Sequence, residues 1–339
     1  MRVGFNPNKN KQLESNDFYH QVIIPVYIPN QEGYFKDSFT ILQLCLESLF
    51  KTVHDKTFIT IVNNGSCFEV SNYLGELYQS RKIQELINTK NIGRINAILK
   101  AVAGHNFTVV TASDADVLFL EKWQEAAYEV FKHFPKTGAV CTTPSSKSYK
   151  TYTANIFFDC FFFKRLRFTA VQNSTALRAF AHSIENPLFY NEVHLANYLT
   201  ISSNDFKAVV GAGHFVITYK ASLFYSLPEK STEYVLGGNS NYLLDTMVIK
   251  KGFWRLSTAD NYTYHMGNVA EAWMFEEVTK LKQAVKTIDF QLKERPSETK
   301  WGYYIKSKIF GKFILNKKIM KCFLRWKGLS KREAEKYLT

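Results

Sequence analysis

Short apolar runs alternate with stretches of helical periodicity through the first half of the chain. Residues 21–27 (QVIIPVY) read as a buried strand. Between 37 and 52, Phe39, Leu42, Leu46 and Leu49 recur at helical spacing. Residues 57–62 (TFITIV) form a second strand that stops at Asn63-Asn64-Gly65-Ser66, a turn signal. A helix over 67–79, a strand near Leu86, a helix over 94–103, a strand at 108–111, a helix over 121–133 and a strand at 139–142 continue the alternation. Strands and helices in that order with short connections predict an α/β fold with a mostly parallel, doubly wound sheet. Ligands of such sheets sit beyond the carboxyl ends of the strands. Three polar motifs fall there: residues 63–66, Asn91-Ile92-Gly93-Arg94, and Asp114-Ala115-Asp116.

The second half is less regular. Residues 209–218 (VVGAGHFVIT) read as a hairpin or as one strand kinked at glycine. A helix is expected over 240–251 with Gly252 at its C-terminal end, and a short strand over 262–265. Residues 270–294 read as one long amphipathic helix, with Trp273, Val278, Leu281, Val285, Ile288 and Leu292 toward one side and Pro296 closing it. The expected organisation is a polar lead-in (1–20), a first α/β half (21–145), a second half of the same domain (146–270), and C-terminal helices with a basic, aromatic tail (271–339).

Composition adds three points. A chain of 339 residues with 46 % hydrophobic and 22 % charged positions is a folded globular protein large enough for one domain and an appendage. The net charge of +13 is concentrated at one end: residues 300–339 hold twelve Lys or Arg against Glu333 and Glu335. Five scattered cysteines, an N-terminal stretch without an apolar core, and no apolar run of spanning length predict reduced thiols, a cytoplasmic setting and no membrane-spanning helix.

Asp114-Ala115-Asp116 directly follows an apolar strand. Two carboxylates separated by one residue at a strand end can converge on a hard divalent cation, Mg²⁺ or Mn²⁺, leaving positions for phosphate oxygens. Such an ion serves as a Lewis acid for a departing diphosphate. In isolation the same triplet reads more readily as a solvated aspartate turn; its place after the strand, among the other motifs, favours the cation.

Ile24-Pro25-Val26-Tyr27, Val62-Asn63-Asn64-Gly65-Ser66, Asn91-Ile92-Gly93-Arg94 and Ser113-Asp114-Ala115-Asp116-Val117, in that order, resemble the landmarks of glycosyltransferase family 2. Asp245 followed by Lys251-Gly252, and Tyr264-His265-Met266-Gly267-Asn268, are similar to that family's C-terminal half, so the resemblance spans roughly residues 20–270. It implies a GT-A fold and inverting, metal-assisted transfer of a sugar from a nucleotide-diphospho-sugar to a hydroxyl of a glycan or lipid-linked glycan, in a cell-surface polysaccharide pathway. UDP-sugars rank ahead of GDP-sugars. By the same resemblance, Pro25 and Tyr27 would flank the nucleoside, Glu32 would reach it, and Asn63 would stand where relatives often carry a base-binding aspartate. Asn91, Gly93 and Arg94 would border the diphosphate, although they also fit a helix-capping turn. Asp114, Ala115 and Asp116 would meet the donor. Asp114, Asp116 and His265 would hold the metal, and His214 would face the sugar or acceptor. The general base, a carboxylate in the family, matches Asp245 best, with Asp205 and Asp260 as alternatives.

Between Lys300 and Arg332 no acid interrupts a mixture of lysines with Trp301, Tyr304, Ile309, Phe313, Phe323 and Trp326. That composition suits a basic amphipathic helix lying on an anionic bilayer, at the inner face of the cytoplasmic membrane, or equally one packed on the domain. No nucleic-acid-binding motif is evident, and nucleic acid is not expected as a partner. Two rival functions remain. A sugar-phosphate nucleotidyltransferase would need a Gly-rich basic loop after the first strand, where Pro29-Asn30-Gln31-Glu32-Gly33 stands instead. The other is a non-catalytic membrane-surface protein.

Overall fold

The computed structural model describes residues 4–7, 9–11, 17–225, 227, 231–233, 235, 241–283, 290–293 and 298–339. Its strands are β1 (His20–Val26), β2 (Thr57–Asn63), β3 (Glu85–Asn88), β4 (Val109–Ser113), β5 (Val117–Phe119), β6 (Thr137–Cys141), β7 (Leu166–Ala170), β8 (Asn197–Ser203), β9 (Phe206–Val210), β10 (Val216–Lys220), β11 (Trp254–Thr258) and β12 (Thr263–His265). Ten of them form one sheet in the order β3-β2-β1-β4-β10-β6-β11-β9-β8-β7, and β12 pairs with β5 alongside it. β10, β9 and β7 run against the other seven, so the sheet is mostly parallel in direction.

Helices flank this sheet: α1 (Ser38–Thr52), α2 (Phe68–Gln79), α3 (Arg94–Val102), α4 (Trp123–His133), α5 (Ala154–Cys160), α6 (Ser174–Ser183), α7 (Glu192–Ala196), α8 (Ser222–Tyr225), α9 (Tyr242–Lys250) and α10 (Ala272–Lys280). α1 buries Leu42, Leu46 and Leu49 with Val22, Ile24 and Ile61 of β1 and β2 in one core. Each such side chain contributes about 1.5–3 kcal/mol on leaving water. A second core gathers Tyr128 and Phe131 of α4, Phe157 of α5, and Trp254 and Leu256 of β11.

The tail completes that second core. α11 (Lys300–Tyr303), a π-helical stretch (Tyr304–Ile309) and α12 (Phe310–Ile314) follow one another without a break, and α13 (Lys317–Trp326) and α14 (Lys331–Lys336) come after. Ile314, Met320, Phe323, Leu324 and Tyr337 are buried there. The apolar side of α13 is therefore taken up by the domain, and that helix is not available to lie on a bilayer as the sequence pattern allowed.

Two elements depart from the sequence pattern. The long helix expected over 270–294 ends at Lys280, where Leu281 turns extended (φ −65°, ψ 132°). Beyond it Phe290 stacks on Tyr128 with ring centroids 4.2 Å apart, and the Lys293 carbonyl accepts a 2.7 Å bond from Lys220 Nζ. Packing on the sheet has overridden helical periodicity. Val285, Ile288 and Pro296 lie outside the described residues. The run 209–218 is neither a hairpin nor one kinked strand. It breaks at Gly211 (φ +97°), where a Cβ would meet the Ser148 carbonyl at 2.3 Å, and β9 and β10 lie apart in the sheet with β6 and β11 between them.

At the amino ends of the parallel strands, away from the polar motifs, sits a buried polar network. His20 Nδ1 accepts from Tyr128 Oη (2.5 Å) and Gln124 Nε2 (2.8 Å), which leaves Nε2 to donate to Thr111 Oγ1 (2.7 Å). His54 Nε2 lies 2.8 Å from the same tyrosine oxygen. Burial, with His54 nearby, holds His20 well below the usual histidine range, and burial lowers His54 to about 4 against a small opposing effect of Asp55. The unfolded chain therefore takes up protons on these rings before the folded chain does. Stability is expected to fall as the pH drops from about 6.5 toward 4. Urea titrations across that window should show a shallower pH slope for His54→Gln than for the wild-type chain; an unchanged slope would remove His54 from the account.

Candidate functional site

A cavity of about 410 Å³ opens at the carboxyl ends of β1, β2 and β4. Pro25 and Tyr27 line one wall as β1 ends. Asn64 and Asn91 come from the turns after β2 and β3, and Arg94 begins α3. Asp114, Ala115 and Asp116 follow β4. The three strand-end motifs of the sequence thus meet at one opening. Tyr34 and Phe35 line it too, on the short turn after β1; no sequence pattern marked them.

The asparagine pair divides its work differently from expectation. Asn63 is buried and does not line the cavity. Its Nδ2 donates to Ser71 Oγ (3.0 Å) and Asn88 Oδ1 (3.1 Å), and its Oδ1 accepts from the Ser66 amide (3.0 Å). These bonds lock the turn. Asn64 is the one at the cavity, where its Oδ1 accepts from the Ile92 amide (2.9 Å) and its Nδ2 reaches Asn91 Oδ1 (3.3 Å). Gly65 (φ +92°) makes this possible, because a Cβ there would stand 3.1 Å from the Asn91 amide nitrogen. Gly93 (φ +83°) starts α3 behind the wall. Glu32 is exposed, lies outside the lining, and donates its amide to Asn30 Oδ1 (3.1 Å).

The two aspartates also differ. Asp114 is paired with the Arg94 guanidinium, whose other end donates to the His214 carbonyl (2.8 Å). Asp116 keeps Oδ1 buried with no hydrogen-bond partner, while its Oδ2 stands 3.4 Å from His265 Nε2. Burial pushes the Asp116 carboxyl up to about 6, with His265 opposing and Asp114 reinforcing the shift. His265 reaches this position because β12 pairs antiparallel with β5, setting His265 opposite Val117, and its Nδ1 is steadied by Ser183 Oγ at 2.9 Å. Among the described residues no group of three or more His, Cys, Asp or Glu forms a complete metal cage. Magnesium-like ions bind through one or two carboxylates and take phosphate and water for the rest. The Asp116 carboxylate, with Oδ1 unpartnered and Oδ2 near an imidazole, fits such a partial shell, and Asp114 is committed to Arg94.

A second cavity of about 360 Å³ adjoins the first, and Asp114 lines both. Phe180, Phe189, Tyr190 and Phe215 give it aromatic walls, with His214, His265 and Lys147 supplying polar groups. Asp245, expected to act as base, is not on its surface. That side chain is 3 % exposed, 2.7 Å from the fully buried Arg255 guanidinium and 3.3 Å from His214 Nδ1. His214 itself is 40 % exposed. Asp245 therefore reaches the cavity only through the imidazole. Asp205 and Asp260 line a separate polar pocket near Tyr262.

No protein-family model matches this sequence, and no curated protein matches it. Solved structures of similar outline include S. aureus TarS residues 1–349 in complex with UDP-GlcNAc (14 % identity, 95 % of this chain and 70 % of that chain, TM-score 0.43). Another is the mannosyltransferase PcManGT from Pyrobaculum calidifontis in complex with GDP-Man and Mn²⁺ (14 %, 94 % and 73 %, TM-score 0.45). A third is GalNAc-T7 with UDP, GalNAc and Mn²⁺ (12 %, 74 % and 43 %, TM-score 0.46). The chain spans only 39 % of the longer TarS chain that it also matches. At that distance nothing about this chain's residues or activity follows from them.

Two substitutions test the division of roles. Asn63→Ala removes three hydrogen bonds and is expected to cost about 2–3 kcal/mol in urea unfolding. Asp245→Ala leaves a buried guanidinium without its counter-charge and should cost about 3–5 kcal/mol. Either variant unfolding like the wild type would contradict the geometry assigned to it.

Proposed function

We propose that this chain is a GT-A-type glycosyltransferase, of the character of family 2, that transfers a sugar with inversion from a nucleoside diphosphate to a hydroxyl of a glycan or lipid-linked glycan. The observation that supports it most is the junction of two cavities at Asp114, one holding the strand-end asparagines and aspartates and one walled by aromatic rings with His214 at its surface.

In this reading the first cavity takes the nucleotide. Tyr27 and Pro25 offer a flat apolar wall to the base, with Asn64 and Asn91 as polar neighbours, and uridine ranks ahead of guanosine. Asp116 and His265 would hold Mn²⁺ or Mg²⁺. The ion bound there would supply positive charge to the departing diphosphate. Asp114, oriented by Arg94, faces the sugar between the cavities. The aromatic walls of the second cavity suit the apolar faces of an acceptor sugar ring.

His214 is the base in this reading, in place of a carboxylate. Asp245, 3.3 Å from Nδ1, favours the proton on that nitrogen and leaves Nε2 to accept. Nε2 takes the proton of the acceptor hydroxyl as its oxygen bonds to the anomeric carbon. The bond from that carbon to the phosphate oxygen breaks, and its electron pair leaves with the nucleoside diphosphate.

A thermal-shift screen of sugar nucleotides tests the reading. Donor at about 100 times its Kd adds about 2.7 kcal/mol, and the shift should require Mn²⁺ or Mg²⁺. Asp116→Asn should lose the metal-dependent part. No metal-dependent shift with any UDP- or GDP-sugar would overturn the proposal. Once a substrate pair is known, His214→Ala should lower kcat about 10²–10⁴-fold with the donor KM within a few-fold. A variant with full kcat would return the base role to another group.

A further inference from the structure

The continuous helical segment from Lys300 through Ile314 has two unlike sides. One is docked: Gly311 and Ile314 are buried, and Lys306 pairs with Asp159 (3.0 Å) and Glu298 (2.6 Å). The other faces solvent at positions 301, 304, 305, 308, 309, 312 and 313, a helical stripe. Solvent-facing stripes are normally polar. Here Trp301, Tyr304, Ile305, Ile309 and Phe313 each stand 44–75 % exposed, with Lys308 and Lys312 between them.

A second, distant piece of chain has the same character. The loop from α5 to β7 presents Phe162, 85 % exposed, and Phe163, with Lys164, Arg165 and Arg167 beside them. It adjoins the tail through contacts of Phe161 with Phe310 (5.8 Å) and Trp326 (5.1 Å), and of Phe162 with Trp326 (6.5 Å). Trp326 is itself exposed.

We propose that this aromatic and basic face docks on an anionic lipid bilayer. The apolar side of α13, part of the 300–332 stretch that the sequence allowed for that task, is packed into the domain; the docking face is the outer stripe of the preceding helical segment together with the loop after α5 and Arg167. Charge selects the occupant. No acidic residue occurs between 300 and 332, whereas Lys is depleted from protein–protein interfaces and favoured at lipid headgroups, where its stem lies along apolar surface. Exposed Trp and Phe are the residues that enter the headgroup boundary. The proposal does not depend on sugar transfer.

The full chain should co-sediment with vesicles of phosphatidylcholine mixed with phosphatidylglycerol at least about tenfold more strongly than with phosphatidylcholine alone, and added salt should weaken the difference. Ile309→Ser with Phe313→Ser should abolish the binding without lowering Tm, because both side chains point outward. Lys308→Glu with Lys312→Glu should do the same and serves if the first pair destabilises the fold. Failure of the wild type to bind anionic vesicles, or undiminished binding by both variants, would overturn the proposal. So would a dimer in sedimentation velocity that Ile309→Ser with Phe313→Ser converts to monomer, since a second copy would then be the occupant.

Discussion

The Arg94–Asp114 ion pair decides what each acidic group at the strand ends can do. Arg94 opens α3, so its backbone is set by the turn after β3, while its guanidinium spans to the end of β4 and to the carbonyl that precedes Phe215. It ties three separate segments of chain together at one point. It also consumes the charge of Asp114, so that of two aspartates two residues apart only Asp116 retains a buried oxygen with no partner. Had Arg94 been a lysine, one compact ammonium would have replaced a planar fork with several donors, and the bridge to His214 would have been lost.

Strand direction explains how histidines from the second half of the chain reach aspartates of the first. In a parallel sheet the carboxyl ends share one edge. An antiparallel strand placed among them contributes its amino end to that edge instead. β10 starts at Val216 opposite Ser113, so His214 and Phe215, just ahead of it, stand beside Asp114. β5 starts at that edge and leads away from it, so β12, antiparallel to β5, returns with its carboxyl end, and its last residue, His265, lies opposite Val117 next to Asp116. Two reversals of direction thus carry both imidazoles to the edge where the aspartates already are.

Much of this was legible in the sequence wherever burial was complete on both faces. β1, β2 and β4 are covered on both sides and read as unbroken apolar runs, and the helices between them keep clean periodicity. The strand-end position of Asp114 and Asp116 followed from that alone. β7 and β8 were not visible, since LRFTA and NYLTISS carry polar residues on a partly exposed edge of the sheet. The 270–294 run had the right period but the wrong outcome, because Phe290 found a ring to stack on that no local pattern encodes. Asn63 and Asn64 are chemically identical neighbours; only the three-dimensional turn tells which one faces inward. Tyr34 and Phe35 sit on a short turn without periodicity and gave no signal.

Asp245 shows how much residue type and spacing leave open about a side chain's surroundings. A carboxylate at the start of a helix in the second half is where a base would be sought, and Asp245 sits in the first turn of α9. Yet Arg255, on β11, is wholly buried and must have a counter-charge within reach, since an isolated guanidinium in the interior would be strongly unfavourable. That requirement draws Asp245 inward, off the cavity surface. The same inward position sets its oxygen 3.3 Å from His214 Nδ1, at the cavity wall. One carboxylate thus balances the charge of the core arginine and also stands beside the imidazole that faces the cavity.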